Sequence, residues 1–160
     1  MTKIKKSPAF DLSPVKKSGM RELHPLDGAL LLMHFAFRGL VVKADLFLES
    51  QGLSRVHHRI LYAIVRTEGL SIGGLQDLLG VSKQALHKPL KHLQEEGYVI
   101  AERDVVQHRT KLLHLTPKGV RLEQAASDHE RKAIQDALGT VSPSQQRVWM
   151  EIMTALARNA

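Results

Sequence analysis

Between Ser82 and Gly97 the polar side chains Lys83, Gln84, His87, Lys88 and Lys91 fall at spacings of one, three, one and three residues. On a helix of 3.6 residues per turn those positions share one face. All five are hydrogen-bond donors. Lysine suits phosphate oxygens and the acceptor edge of guanine, and glutamine suits adenine. A solvated helix also presents a polar face by default, so this face alone leaves nucleic-acid recognition and plain solvation both open.

Other chemistries are easier to set aside. The chain has no cysteine, which excludes disulfides, thiolate catalysis and cysteine zinc sites. It carries no Gly-rich phosphate loop, no Gly-x-Ser-x-Gly elbow and no carboxylate pair in a cleft motif, so no catalytic residue is assigned and no enzyme is expected. Nine histidines are present. His57 and His58 are adjacent, but neighbours on a helix point about 100° apart and rarely share a metal. No His/Asp/Glu set has ligand spacing, so neither a metal nor another cofactor is expected. The longest apolar run, Gly28 to Phe37, is broken by His34 and too short to span a bilayer, and the N-terminus lacks a secretory pattern. A cytoplasmic, nucleoid-associated protein with no membrane partner is expected.

Net charge is +7, but residues 1–21 hold six cations against Asp11, a balance of +5, which leaves +2 for the rest. Bulk charge therefore argues little, and the placement of the charges decides. Residues 1–20, with two Ser-Pro steps and no apolar periodicity, read as a disordered basic arm. It is either an untidy terminus or an extra phosphate contact.

The remaining residues, 21–160, read as one domain. A helix over about 25–51 is apolar on more than one side, which suggests a subunit contact. Ser54 caps a second helix with Val56, Ile60, Leu61 and Ile64 inward. Ser71 caps a short third helix with Leu75, Leu78 and Leu79 as its apolar face. Gly80 breaks the chain, and Ser82 caps the helix that carries the donors, which Gly97 ends. Its stripe of Ala85, Leu86, Leu90 and Leu93 closes a core with the third helix, Ala85 being small where the two approach. Pro89 sits inside this helix and predicts a kink near Ala85–Leu86. The bend either adjusts how the helix follows a groove or is a tolerated irregularity. The periodicity then falls to about 2, giving strands near Val99–Arg103 and Thr110–Leu115 around a polar tip. Thr116-Pro117 opens a helix to about Leu138. Ser142 to Gln145 forms a capping box for a last helix with Val148, Trp149, Ile152 and Leu156 inward. The fold class is mainly α with a small two-stranded β-wing. The order helix, short helix, glycine turn, helix, ribbon describes a winged helix-turn-helix. A ribbon tip with His108 and Arg109 tilts the donor face towards DNA, since an arginine on an extended arm can enter a minor groove.

The stretches LSIGGLQDLLGVSKQALHKPLKHLQEEGYVIAE and DVVQHRTKLLHLTPKG resemble the MarR family of winged-helix transcription regulators. The resemblance covers about residues 28–158. The wing of that family usually reads Asp-x-x-Asp-Arg-Arg followed by a strand ending in Leu-Thr-x-x-Gly. Leu115 to Gly119 keeps that ending and Arg109 keeps the second arginine, whereas Gln107 replaces the second aspartate and His108 the first arginine. Gln107 can hydrogen-bond to Arg109 but brings no charge, which implies a looser tip.

The resemblance implies a bacterial homodimer with a DNA-binding lobe over about 54–116 and dimerisation helices over about 25–51 and 117–158. It implies a near-palindromic double-stranded operator with half-sites about 10 base pairs apart, and repression relieved by a small-molecule effector. The DNA contacts assigned are Ser82, Lys83, Gln84, His87, Lys88, Lys91, His108, Arg109 and Lys111. The effector pocket is assigned to His34, Arg38, His57 and His58. The alternative is a winged helix used only for protein contact. Three lysines with no acid on their face favour DNA over it.

Overall fold

The structure is a computed structural model that describes residues 24–104 and 110–158. The basic arm and the wing tip with His108 and Arg109 lie outside the described residues. Among the described residues six helices and one ribbon follow in order: α1 (Asp27–Ser50), α2 (Arg55–Arg66), α3 (Ile72–Leu79), α4 (Lys83–Glu95), β1 (Val99–Arg103), β2 (Lys111–Leu115), α5 (Pro117–Leu138) and α6 (Pro143–Ala157). The chain divides into two units, Met1–Val42 and Lys43–Ala160. In the first, α1 leaves Leu30, Met33 and Phe37 exposed.

The second unit contains the core. Leu48, Leu53, Ile60, Leu61, Ile64, Leu75, Leu86, Leu90, Leu93, Val99, Leu113 and Leu122 are buried together. Among the described residues the interior is aliphatic, and Tyr98 is the one buried Phe, Tyr or Trp. Local signals set the element boundaries. The hydroxyl of Ser71 accepts from the Gly74 amide, that of Ser82 from the Ala85 amide, and that of Thr116 from the Gly119 amide, each satisfying an amide that has no partner within its helix. At α2 the roles change. The N3 residue His57 accepts the Ser54 amide on Nδ1 at 3.1 Å, the place a glutamate or glutamine usually fills.

The ribbon is antiparallel, with Val99 opposite Leu115 and Arg103 opposite Lys111. The segment before α3 joins it: the Leu113 amide donates to the Leu70 carbonyl and Ser71 bridges Leu112. The wing is thereby tied to the start of the helix-turn-helix.

Four expectations about inward faces need correction. Val56 is 52% exposed. It shares the arc of Ile60 but lies in the first turn of α2, and periodicity reports the side of a helix, not how far its cover extends. Leu78 is 57% exposed, because it lies about 60° round from Leu75, away from Ile72 and Leu79. Ala85 is exposed, about 100° from the buried stripe of Leu86, Leu90 and Leu93, so it is not the close-approach residue. On α6 Val148, Ile152 and Leu156 are exposed and no residue is buried.

α4 is one continuous helix through Pro89. The proline withholds a donor from the Ala85 carbonyl. Because Ala85 is exposed, water can supply the missing partner, which lowers the cost of a proline at this site.

The close approach lies at the start of α5. Gly119 is buried, and a Cβ there would run into the Tyr98 carbonyl. Gly119→Ala should therefore destabilise the fold by about 2 kcal/mol, measured by urea denaturation. A stability equal to wild type would mean that the α4–β1 junction gives way easily.

Candidate nucleic-acid interface

The amphipathic split of α4 builds the interface. Leu86, Leu90 and Leu93 turn into the core, while Lys83, Gln84, His87, Lys88 and Lys91 are all exposed. Five donors thus emerge along two and a half turns of one helix. Ser82 is also exposed, although its hydroxyl is engaged in capping the helix. One expectation is corrected here. Lys91 lies 3.4 Å from Glu95 one turn on, so the face does carry an acid at its C-terminal end. The pair is exposed and weak by nature. Among the described residues, the lysines of this face with no acid paired to them are Lys83 and Lys88, nearer the N-terminus of the helix.

The ribbon adds Lys111, exposed at the start of β2. Opposite it in register stands Arg103, which sequence reasoning missed. Directly opposed residues of an antiparallel pair point to the same face, and like charges there are unfavourable. Such a pair gains if an anion lies across it. Strand register was the signal that would have found Arg103, since β1 and β2 each read correctly but their alignment was not used. The positions of His108 and Arg109 lie outside the described residues.

The four residues assigned to an effector pocket do not share one character. His34 and Arg38 are exposed on α1, the His34 ring standing edge-on to Phe35 at 5.2 Å and Arg38 lying 5.9 Å from the same ring. His57 and His58 have structural partners. His57 caps α2, and its ring stands 5.2 Å from that of His92 on α4.

His58 is buried, with Nε2 3.1 Å from the Ser127 hydroxyl. That hydroxyl donates to Glu123 Oε1 at 2.7 Å, and Arg66 donates to the same oxygen at 2.6 Å. A hydroxyl has one proton, so His58 Nε2 must be the donor to Ser127. His58 Nδ1 then carries a lone pair, facing Glu130 Oε1 at 3.7 Å. Glu123 and Ser127, both fully buried, went unnoticed in the sequence because polar positions on α5 read as its solvent face. No group of three or more His, Cys, Asp or Glu among the described residues is placed to hold a metal.

Comparison with known proteins agrees with this geometry. The sequence model of the MarR family matches residues 51–110. The HTH-type transcriptional regulator PetP of Rhodobacter capsulatus is 32% identical over 124 residues, 78% of this chain and 75% of PetP. A MarR-family regulator from Silicibacter pomeroyi superposes with a TM-score of 0.70 at 25% identity, covering 87% of this chain and 96% of that one. The MepR–DNA complex of S. aureus superposes at 0.66 with 18% identity, covering 81% and 96%. The chain belongs to the MarR family. It is a DNA-binding transcription regulator with a winged-helix fold, and not an enzyme. No helix among its described residues is long and apolar enough to cross a membrane.

Two histidines, buried His58 and half-buried His57, give the molecule a direction of pH dependence. Burial holds His58 below its ordinary value of 6.5, with Glu123 opposing and Arg66 assisting. Burial followed by the nearby His92 lowers His57. A folded-state value below the unfolded one means that the unfolded chain takes up more protons as pH falls. The stability these histidines contribute is therefore present above 6.5 and lost as pH falls through their folded values. Glu130 is shifted upwards, chiefly by burial, so its contribution runs the other way. His58→Gln keeps an N–H for Ser127 and removes the titration. It should lose less stability than wild type between about pH 7.5 and pH 5, as read from urea midpoints. An identical pH profile would show that His58 does not titrate with unfolding.

Proposed function

We propose that this protein is a sequence-specific regulator that reads double-stranded DNA with the exposed face of α4, and that it acts as a homodimeric repressor released by a small molecule. The observation that carries the reading is the exposure of Lys83, Gln84, His87 and Lys88 on a helix whose other side is locked into the core. A helix of that kind fits a major groove, with lysines at phosphates or guanine and Gln84 at adenine. Lys111 and Arg103 at the wing fit the adjoining backbone or minor groove, and the sequence assigns His108 and Arg109 to the same contact.

Two exposed apolar stripes support the dimer. Leu30, Met33 and Phe37 recur at helical spacing on α1, and Val148, Ile152 and Leu156 do so on α6. Stripes of this kind need a cover, and a second copy supplies one for both. On this reading residues 54–116 form the DNA-binding lobe, and residues 25–51 and 117–158 the dimerisation helices. The operator is near-palindromic, with half-sites about 10 base pairs apart. Release by an effector requires a ligand that binds one arrangement of the dimer better than the other. His34 and Arg38, whose side chains are exposed, are better suited to contact such a ligand than His57 and His58. A cytoplasmic, nucleoid-associated location follows from the DNA partner.

Selection of bound duplexes from a random pool tests the DNA reading. Lys83→Ala should weaken binding to all duplexes and lower the salt slope by about 1, whereas Gln84→Ala should relax preference at one base position. If neither variant differs from wild type, α4 is not the reading element. Sedimentation tests the assembly separately. Wild type should run as a dimer, and the double variant Ile152→Glu, Leu156→Glu should shift it towards monomer. A monomeric wild type at micromolar concentration would remove the dimer from the reading.

A further inference from the structure

The junction between α4 and α5 holds more polar contacts than a turn requires. α4 ends in a Schellman motif: the Tyr98 amide donates to the Leu93 carbonyl at 2.9 Å and the Gly97 amide to the Gln94 carbonyl at 3.1 Å, with Gly97 at φ 72°. That closes the helix but leaves the next three carbonyls, those of Glu96, Gly97 and Tyr98, facing out of it. The first turn of α5 takes all three. Lys118 Nζ donates to the Glu96 carbonyl at 2.7 Å, Thr116 Oγ1 to the Gly97 carbonyl at 2.7 Å, and the Thr116 amide to the Tyr98 carbonyl at 3.0 Å. The Lys118 ammonium also lies 4.0 Å from the centre of the Tyr98 ring.

We propose that Lys118 is a positioning residue for DNA recognition: anchored on the Glu96 carbonyl and the Tyr98 ring, it fixes the attitude of α4 from α5 without itself touching DNA. The role rests on the reading of α4 as the DNA-reading helix. Three features carry it. An ammonium at the C-terminal end of a helix meets the negative end of its dipole. The ring face adds a second, independent attraction, so one charge is held from two directions. The buried Gly119 brings the two backbones close enough for both contacts. Counted by charge alone, Lys118 is one more exposed cation beside the DNA-binding lobe. By geometry its ammonium is already engaged, and a rotation of α4 about its own axis would break the contact. Since the donors of α4 fan out from that axis, a small rotation would misalign every base contact at once while leaving phosphate attraction nearly unchanged.

The test uses the full chain, a duplex selected by wild type from a random pool, and a scrambled duplex of the same length. Lys118→Met keeps the stem and removes the charge, Lys118→Arg keeps a cation, and Lys118→Gln serves as a second uncharged variant. Circular dichroism at the assay temperature establishes which variants are folded. The expected result for the folded uncharged variants is a roughly ten-fold loss on the selected duplex, comparable to one lost base contact. The scrambled duplex should change by less than about two-fold, the salt slope should stay constant, and Lys118→Arg should restore selectivity. An equal loss on both duplexes with a slope shallower by about 1 would make Lys118 a phosphate contact and overturn the proposal. Unchanged affinity for the selected duplex would also overturn it, as would unfolding of both uncharged variants, because the lysine would then act on stability alone. If wild type selects no duplex, the reading of α4 itself fails, which is visible before any variant is made.

Discussion

The burial of Leu86, Leu90 and Leu93 is the constraint on which the rest of the molecule depends. These three side chains fix the rotation of α4 about its axis, and rotation decides which residues meet the solvent. Once they are inside, Gln84, His87 and Lys88 must turn outward, because the helical repeat leaves them no other side, and Lys83 is exposed as the first residue of the helix. A donor surface is thus specified by its reverse. Leucine at three positions costs little sequence information and tolerates drift in size, yet it sets the direction of every donor. The neighbouring elements reinforce the same rotation. Ser82 fixes where the helix starts, and the carbonyls of Glu96, Gly97 and Tyr98 fix where it ends.

The interior also holds a polar chain that an aliphatic core does not need for burial. Arg66, Glu123, Ser127 and His58 join α2 to α5 through contacts of 2.6, 2.7 and 3.1 Å. Asp45 and Arg55 pair beside them, tying the end of α1 to the start of α2. A buried carboxylate is tolerated only when its lone pairs are taken up, and Glu123 has both a guanidinium and a hydroxyl. Apolar side chains could hold the same two helices at similar stability but would allow them to slide. Hydrogen bonds with defined directions do not. Among the described residues no buried side-chain nitrogen or oxygen lacks a partner, so the chain is fully satisfied and geometrically exacting.

Pro89 follows from the same logic. A proline in a helix interior is costly when the freed carbonyl is shut away from water. Here the residue whose carbonyl loses its donor, Ala85, is on the exposed side, and the leucine stripe passes the proline on both sides, at Leu86 and at Leu90. Packing therefore holds the two halves in one helix where propensity would separate them.

Much of this architecture was legible from residue types alone. Caps at Ser71, Ser82 and Thr116, the glycine after α4 and the change from helical to strand period each act over a few residues, and local signals survive translation into structure. What was not legible depended on distance. Ala85 and Leu78 were assigned to the core because they were apolar and near the stripe, but an error of one position is about 100° on a helix, and only the packed partner shows where the stripe is centred. Arg103 was hidden because strand register is a relation between two segments. Glu123 and Ser127 were hidden because a polar residue on a helix is ordinarily solvated, and the reason these are not, His58 and Arg66 on α2, lies more than fifty residues away. The apolar face of α6 was read correctly as a face and wrongly as covered, since a chain considered alone shows only that a stripe exists. The sequence thus states local rules well, whereas the positions at which two elements meet are settled by contacts that no single segment encodes.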